Sequence, residues 1–267
     1  VRKKRNTCWH SNQFAILLHA MPDTPERFYN LLLAALSEED LGALGEMESV
    51  ELKVRQVLEK AGEPIPAIYF PQNGLVSVVA QTKTQQSIEV GMIGYEGMTG
   101  ISVMMGIDRA ANQVIVQARG EALRVPVCTL ESAMQSRPGI ASIFRRYVQV
   151  FIAQASQTAL ANGRGLLAQR LARWLLMGHD RTRRKDLSVT HGSLGVLLGT
   201  RRASVALALH ALEERGLVRT KRHVIEVLDR AGLEAAANGY YGIPEAEYAR
   251  LLAPLIKRGG GSRDVRH

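Results

Sequence analysis

Apolar positions recur at helical spacing between residues 28 and 44, and Ser37 ahead of Glu38, Glu39 and Asp40 predicts an N-cap with acids in the first turn. The period then shortens. Runs rich in Val and Ile at 67–70, 75–80, 87–92, 113–118 and 122–127, separated by Gly, Pro or Asn, predict an antiparallel β-barrel of jelly-roll type. After Pro138 the pattern is helical again from 139 to 162, a rod about 36 Å long. Its apolar stripe of Ile140, Phe144, Tyr147, Phe151, Ala155 and Thr158 alternates spacings of three and four. Such a stripe forms a coiled-coil seam with a second copy or packs on the barrel of its own chain, and periodicity alone does not separate the two. Gly163 and Gly165 around Arg164 predict a hinge into another helix over 166–177.

The segment from 190 to 214 carries the most specific local pattern. Thr190 can cap a first helix, Leu194 and Leu198 share its inner face, and Gly195 leaves room for a second helix to cross closely. Gly199 supplies the tight turn. In the second helix Val205, Ala208 and Leu212 point inward, leaving Arg201, Arg202, Ser204 and Leu207 on the other side. This is a helix-turn-helix, whose second helix enters a DNA major groove. Arg201 and Arg202 lie in its N-terminal half, where an Arg can make two hydrogen bonds to guanine, and Ser204 suits a phosphate. Two strands at 217–220 and 224–228 around Lys221, Arg222 and His223 predict a basic wing along the phosphate backbone. The predicted DNA-contacting set is Thr190, Thr200, Arg201, Arg202, Ser204, Lys221 and Arg222.

The charge distribution strengthens that expectation. The chain has 267 residues and a net charge of +9, of which residues 164–230 carry +8, residues 31–163 carry −3, and the two ends carry +3 and +1. A basic segment behind a slightly acidic one is the footprint of a nucleic-acid-binding module attached to something else. No apolar run is long enough to span a membrane, which argues against a membrane partner. The basic start at Arg2, Lys3, Lys4 and Arg5 imitates a secretory signal, but His10, Asn12, Gln13 and His19 interrupt the apolar stretch behind it. Two cysteines, Cys8 and Cys128, fit a reducing compartment, and a cytoplasmic protein is expected.

A β-barrel, a long helix, a hinge and a winged helix-turn-helix, in that order, resemble the Crp/Fnr family of bacterial transcription regulators over roughly residues 31–241. Tyr69-Phe70-Pro71 before Gly74-Leu75-Val76-Ser77, the stretch from Gly94 to Met98, and the run from Gln169 to Leu175 are similar to one branch of that family. The resemblance implies a homodimer paired along the long helix through Ile140, Phe144, Tyr147 and Phe151. It implies a sensor barrel whose ligand pocket involves Gly97, Gly100, Ile101, Arg109 and Asn112, double-stranded DNA as partner, and RNA polymerase as a further one. Members that bind cyclic AMP hold its ribose with a Glu and its phosphate with an Arg. Ile101 and Asn112 stand at those places, so cyclic AMP is not expected to bind in the usual way, with Arg109 as the alternative cation three residues off. An anionic phosphate buried without a cation is costly. Two cysteines cannot hold the iron–sulfur cluster of the oxygen-sensing branch, and no His between His19 and His179 offers a haem ligand. No cofactor is predicted, and an unidentified small-molecule effector is left open. In the second helix the family's Arg-Glu pair becomes Arg202-Ala203 and a further base-reading Arg becomes Leu207, so the operator should differ from the cyclic-AMP type.

Two rival functions remain at this stage. A metal-dependent enzyme on the same jelly roll needs clustered His and carboxylate ligands, and the barrel has no His. A signalling adaptor binding protein or RNA would not need the groove-reading helix. The expectation is therefore a non-enzymatic α+β regulator. Its parts are an extension (1–26), a sensor barrel resembling cyclic-nucleotide-binding domains (27–138), a dimerisation helix and hinge (139–163), a winged helix-turn-helix (164–242) and a tail (243–267), in which the run Gly259, Gly260 and Gly261 is expected to be disordered.

Overall fold

The computed structural model describes residues 28–84, 86–182 and 186–259; the predicted extension 1–26 and residues 260–267 lie outside these. Helices α1 (Leu31–Ala34) and α2 (Glu38–Ala43) come first, their N-termini capped by the side chains of Asn30 and Ser37. Seven strands follow: β1 (Glu48–Leu52), β2 (Val57–Glu59), β3 (Ala67–Pro71), β4 (Leu75–Gln81), β5 (Ser87–Ile93), β6 (Gln113–Ala118) and β7 (Gly120–Pro126), with the one-turn helix α3 (Ile101–Met104) between β5 and β6.

The predicted closed barrel is not what these strands build. They form two separate antiparallel sheets, one in the order β1-β7-β3 and one in the order β2-β6-β4-β5. No ladder joins an edge of one to an edge of the other among the described residues. The sheets are held by side chains instead: Leu52 and Ala122 of the first share a buried cluster with Leu58, Val76, Val78, Ile93, Val114 and Val116 of the second. A period of two fixes which face of a strand is buried, and a sandwich satisfies that as well as a barrel does.

Helix α4 (Val127–Ser136) leads into the long helix α5 (Pro138–Arg164), which starts with Pro in its first turn, where a missing N–H breaks no helical bond. The residues assigned to an intermolecular seam lie inside the chain's own cores. Ile140, Phe144 and Tyr147 pack with Leu31, Leu32 and Leu33 of α1, and Phe151 joins the inter-sheet cluster. All four are at most 7% exposed, so they offer no surface to a twin; the stripe packs on its own domain. Phe144 contacts Phe70 with ring centroids 5.5 Å apart. The outer face of the same helix presents Gln149, Ile152, Ser156 and Leu160, with Ile152 and Leu160 each 48% exposed.

Gly165, in an extended conformation, ends α5 and opens the path to α6 (Leu167–Arg181). The second domain then comprises β8 (Asp186–Ser188), α7 (His191–Leu197), α8 (Arg202–Glu214), β9 (Val218–Lys221), β10 (Val224–Val227) and α9 (Arg230–Ala236). Its three-stranded sheet has the order β8-β10-β9. Its core, centred on Leu171, Leu175, Leu194, Val205 and Leu209, also takes in Leu75, Val79 and Met92 from the double-sheet domain. Of the predicted tail, residues 243–259 are described, and Gly260 and Gly261 of its glycine run lie outside the described residues. Helices α10 (Ile243–Leu251) and α11 (Ala253–Gly259) run back to the first domain, where Tyr248, Leu252 and Ile256 enter the same cluster as Leu31 to Leu33.

Candidate nucleic-acid interface

Thr190 adopts an extended backbone and its hydroxyl accepts a hydrogen bond from the Ser193 amide at 3.0 Å, fixing the start of α7. The turn to α8 is as tight as the sequence requires. The Thr200 amide donates to the Gly195 carbonyl at 2.8 Å, a Cβ on Gly195 would lie 2.9 Å from the Thr200 oxygen, and Gly199 takes a left-handed φ of 57°. Arg201 is the N-cap of α8. Val205, Ala208, Leu209 and Leu212 are buried inward, while Arg201, Arg202, Ala203 and Leu207 are exposed on the outer face.

The wing is anchored to α8 and to the residue that precedes the N-cap of α7. Glu213, near the end of α8, accepts from the Thr220 amide at 2.7 Å and its hydroxyl at 2.8 Å, and these bonds hold its carboxyl below the usual range. The Val189 amide donates to the carbonyl of His223, which turns the wing tip with a left-handed φ of 62°. A groove of about 400 Å³ is thereby lined by Thr190, His191, Arg202, Lys221, Arg222 and His223. Four residues of the predicted DNA-contacting set meet there. The other three, Thr200, Arg201 and Ser204, line a separate open groove of about 1120 Å³ whose opposite wall is the β4–β5 hairpin. The sequence pointed to the basic wing tip; it gave no warning of the Glu213–Thr220 tie, because nothing marks a half-buried Glu at a helix end as a partner for a strand seven residues on.

The predicted ligand-pocket residues are not gathered in the same way. A Cβ on Gly97 would lie 2.0 Å from the Tyr147 hydroxyl, so α5 packs directly on that backbone. Gly100, the N-cap of α3, donates its amide to the Glu59 carboxylate at 2.6 Å, and a Cβ there would run into Ile68. Glu59 is buried, which pushes its carboxyl up against the opposing pull of the Gly100 amide and the Thr99 hydroxyl. Ile101 is half-buried on α3, Asn112 is half-buried in the bend before β6, and Arg109 is exposed and donates to the Gly62 carbonyl at 2.9 Å. Glu59 went unnoticed in the sequence, since a lone Glu in a three-residue strand carries no signal.

Residues 169–236 match the family model of the Crp-like helix-turn-helix domain. No curated protein matches the chain in sequence. The structure is similar to a transcriptional regulator of the Crp/Fnr family from Eubacterium rectale, with a TM-score of 0.61 and 15% identity over 79% of this chain and 99% of that one. It is similar also to FixK2 from Bradyrhizobium japonicum, with a TM-score of 0.60 and 16% identity over 72% of this chain and 97% of that one. The c-di-GMP responsive regulator CLP from Xanthomonas campestris gives a TM-score of 0.58 and 16% identity over 71% and 98%. Among the described residues no helix is long and apolar enough to cross a membrane. Residues 169–236 therefore carry a Crp-like helix-turn-helix domain, and the fold of the chain is similar to that of these solved regulators.

Proposed function

We propose that the chain acts as a cytoplasmic homodimer that reads an inverted-repeat operator by placing α8 of each copy in a major groove, with RNA polymerase as a further partner. The observation that carries this reading is the basic groove in which Thr190, Arg202, Lys221 and Arg222 converge beside the exposed outer face of α8. Arg201 and Arg202 are the base-reading candidates, Thr200 and Ser204 flank them, and Thr190, Lys221 and Arg222 hold phosphates. The face of α5 that suits a twin is the one bearing Gln149, Ile152, Ser156 and Leu160, since the inner face is filled. Pairing there sets the half-sites about 34 Å apart, one helical turn of DNA.

Cyclic AMP is not the effector in this reading. Glu59 already carries a carboxylate to the Gly100 amide, and a second anion there would meet it at close range. Selection of bound sequences from a random duplex pool, with purified protein and no added effector, tests the function. An inverted repeat with half-sites one turn apart supports it, and no enrichment with or without cell extract rejects it.

A further inference from the structure

Two sequence runs that the DNA-reading function leaves unused, 94–98 and 169–175, each supply a buried tie between the domains, Glu96 to Arg181 and Trp174 to Glu89. Arg181 on α6 has 2% side-chain exposure and lies between two carboxylates, Glu96 of the double-sheet domain at 2.8 Å and Glu245 of α10 at 3.6 Å. Trp174 donates its indole N–H to the buried Glu89 of β5 at 2.9 Å. Arg173 donates to the Thr158 hydroxyl of α5 at 3.0 Å and to the Tyr240 carbonyl at 3.1 Å. From α10, the Tyr248 hydroxyl donates to the Glu96 carbonyl at 2.9 Å, and Leu252 and Ile256 continue into the core beneath α1. The DNA-reading domain is thus tied to the first domain at both ends, by α5 before it and by α10 and α11 after it.

This fastening has a consequence for α8. Ile88 of the β4–β5 hairpin rests against the helix-turn-helix turn, so that a Cβ on Gly199 would lie 3.0 Å from its Cδ1. Gln81, Thr82 and Gln86 face Thr200, Arg201 and Ser204 across the open groove. A recognition helix reaches base edges with its N-terminal residues inside a groove about 12 Å wide. A hairpin packed on the turn just before that helix stands where the flanking phosphate backbone has to pass.

We propose that α10 and α11 form an autoinhibitory strap, which holds the DNA-reading domain in the position where the β4–β5 hairpin obstructs entry of α8 into DNA; releasing the strap frees the helix. This rests on α8 being the groove-reading helix. The latch is poised rather than permanent. Opening returns the charges of Glu96, Arg181 and Glu245 to water, which offsets much of the attraction lost, and one oxygen of Glu245 has no hydrogen-bond partner to lose.

The test uses the full chain, wild type and as Tyr248→Ala and Ile88→Asp, with two readouts: affinity for random-sequence duplex DNA and the rate of limited trypsin cleavage after Arg164 at the hinge. Tyr248→Ala should be cleaved faster and bind about tenfold more tightly if roughly a tenth of the wild type is open. Ile88→Asp, at a half-buried position outside the cores, should bind several-fold more tightly with cleavage unchanged. Unchanged cleavage of Tyr248→Ala overturns the strap. Wild-type binding that neither variant strengthens overturns the inhibition alone. No duplex binding by any form, with Tyr248→Ala cleaved faster, overturns the DNA-reading function and the inhibition with it.

Discussion

The arginines of the basic segment between 164 and 230 have two opposite fates. At the start of α8, Arg201 and Arg202 stand exposed in solvent. On α6 and α9, Arg173, Arg181 and Arg230 are drawn inside, Arg181 between Glu96 and Glu245, and Arg230 bonded to Asp180 and the Tyr241 hydroxyl, both at 2.7 Å. Burial pulls the pKa of Arg181 and Arg230 down, and the carboxylates around each more than reverse it; Arg173, with weaker partners, is left lowered by burial. The net charge of +8 therefore overstates the DNA footprint. Exposed arginines release counterions from DNA, whereas Arg173 and Arg181 tie the two domains together and Arg230 braces the DNA-reading domain internally.

The largest effect that would break this contrast is at Arg181. Arg181→Met leaves Glu96 and Glu245 buried without their cation and should destabilise the fold by about 3–5 kcal/mol, read in denaturant unfolding. Adding Glu96→Gln and Glu245→Gln should recover most of that loss, because the charges that needed Arg181 are gone. A loss below about 1 kcal/mol in the single variant would mean that the interior arginines are no more structural than surface ones.

Next in size is a pH effect at Glu89. Burial raises this carboxyl to about 7, against the pull of the Ser77 hydroxyl, the Trp174 indole and the positive charges of Arg173 and Arg181. An acid raised on folding contributes stability that is full below its unfolded value, near 4.5, and is lost as pH climbs through about 7. The expected loss across that window is roughly 3 kcal/mol at most. Glu89→Gln, which keeps an acceptor for Trp174 and cannot ionise, should flatten the stability profile between those pH values; an equally steep profile in the variant would place the titration elsewhere.

What the sequence disclosed follows the range of the interactions. The helix-turn-helix was legible because its determinants are neighbours: Thr190, Gly195, Gly199 and Val205 each act within a few residues. The double-sheet domain was legible as strands and not as an assembly, since edge pairing is decided between segments far apart. Strand β1, in which only Leu52 is buried, escaped notice behind its charged positions. The inner stripe of α5 was read correctly as apolar, yet periodicity could not say whose core it served. In the last segment Tyr248, Leu252 and Ile256 recur every four residues, a helical signal that the glycines after Arg258 obscured. The strap was hidden because its partners, Glu96 and Leu31 to Leu33, lie at the far end of the chain.

On the exposed side the contrast predicts specificity without stability. Arg202→Ala should leave unfolding within about 0.5 kcal/mol of wild type. In a binding-site selection it should relax one base pair per half-site by about 1–3 kcal/mol. An unchanged base preference would remove Arg202 from the reading surface and leave it in the phosphate groove with Lys221.

The smallest effect sharpens the same division within the groove itself. Lys221 sits at the wing, mostly exposed, with Glu226 at 3.5 Å, an ion pair too solvated to matter for folding. If its partner is a phosphate, Lys221→Ala weakens binding to every duplex about equally and lowers the salt dependence of log K by about one counterion, with the base preferences of the selected site intact. Arg202→Ala should do the reverse, changing the preference more than the slope. Measuring both slopes and both profiles on one selected duplex separates the residue that reads from the residue that holds, although the two line a single groove of about 400 Å³. Should Lys221→Ala alter a base preference instead, the wing reads sequence, and the boundary between reading and holding runs between α8 and the hairpin rather than through them.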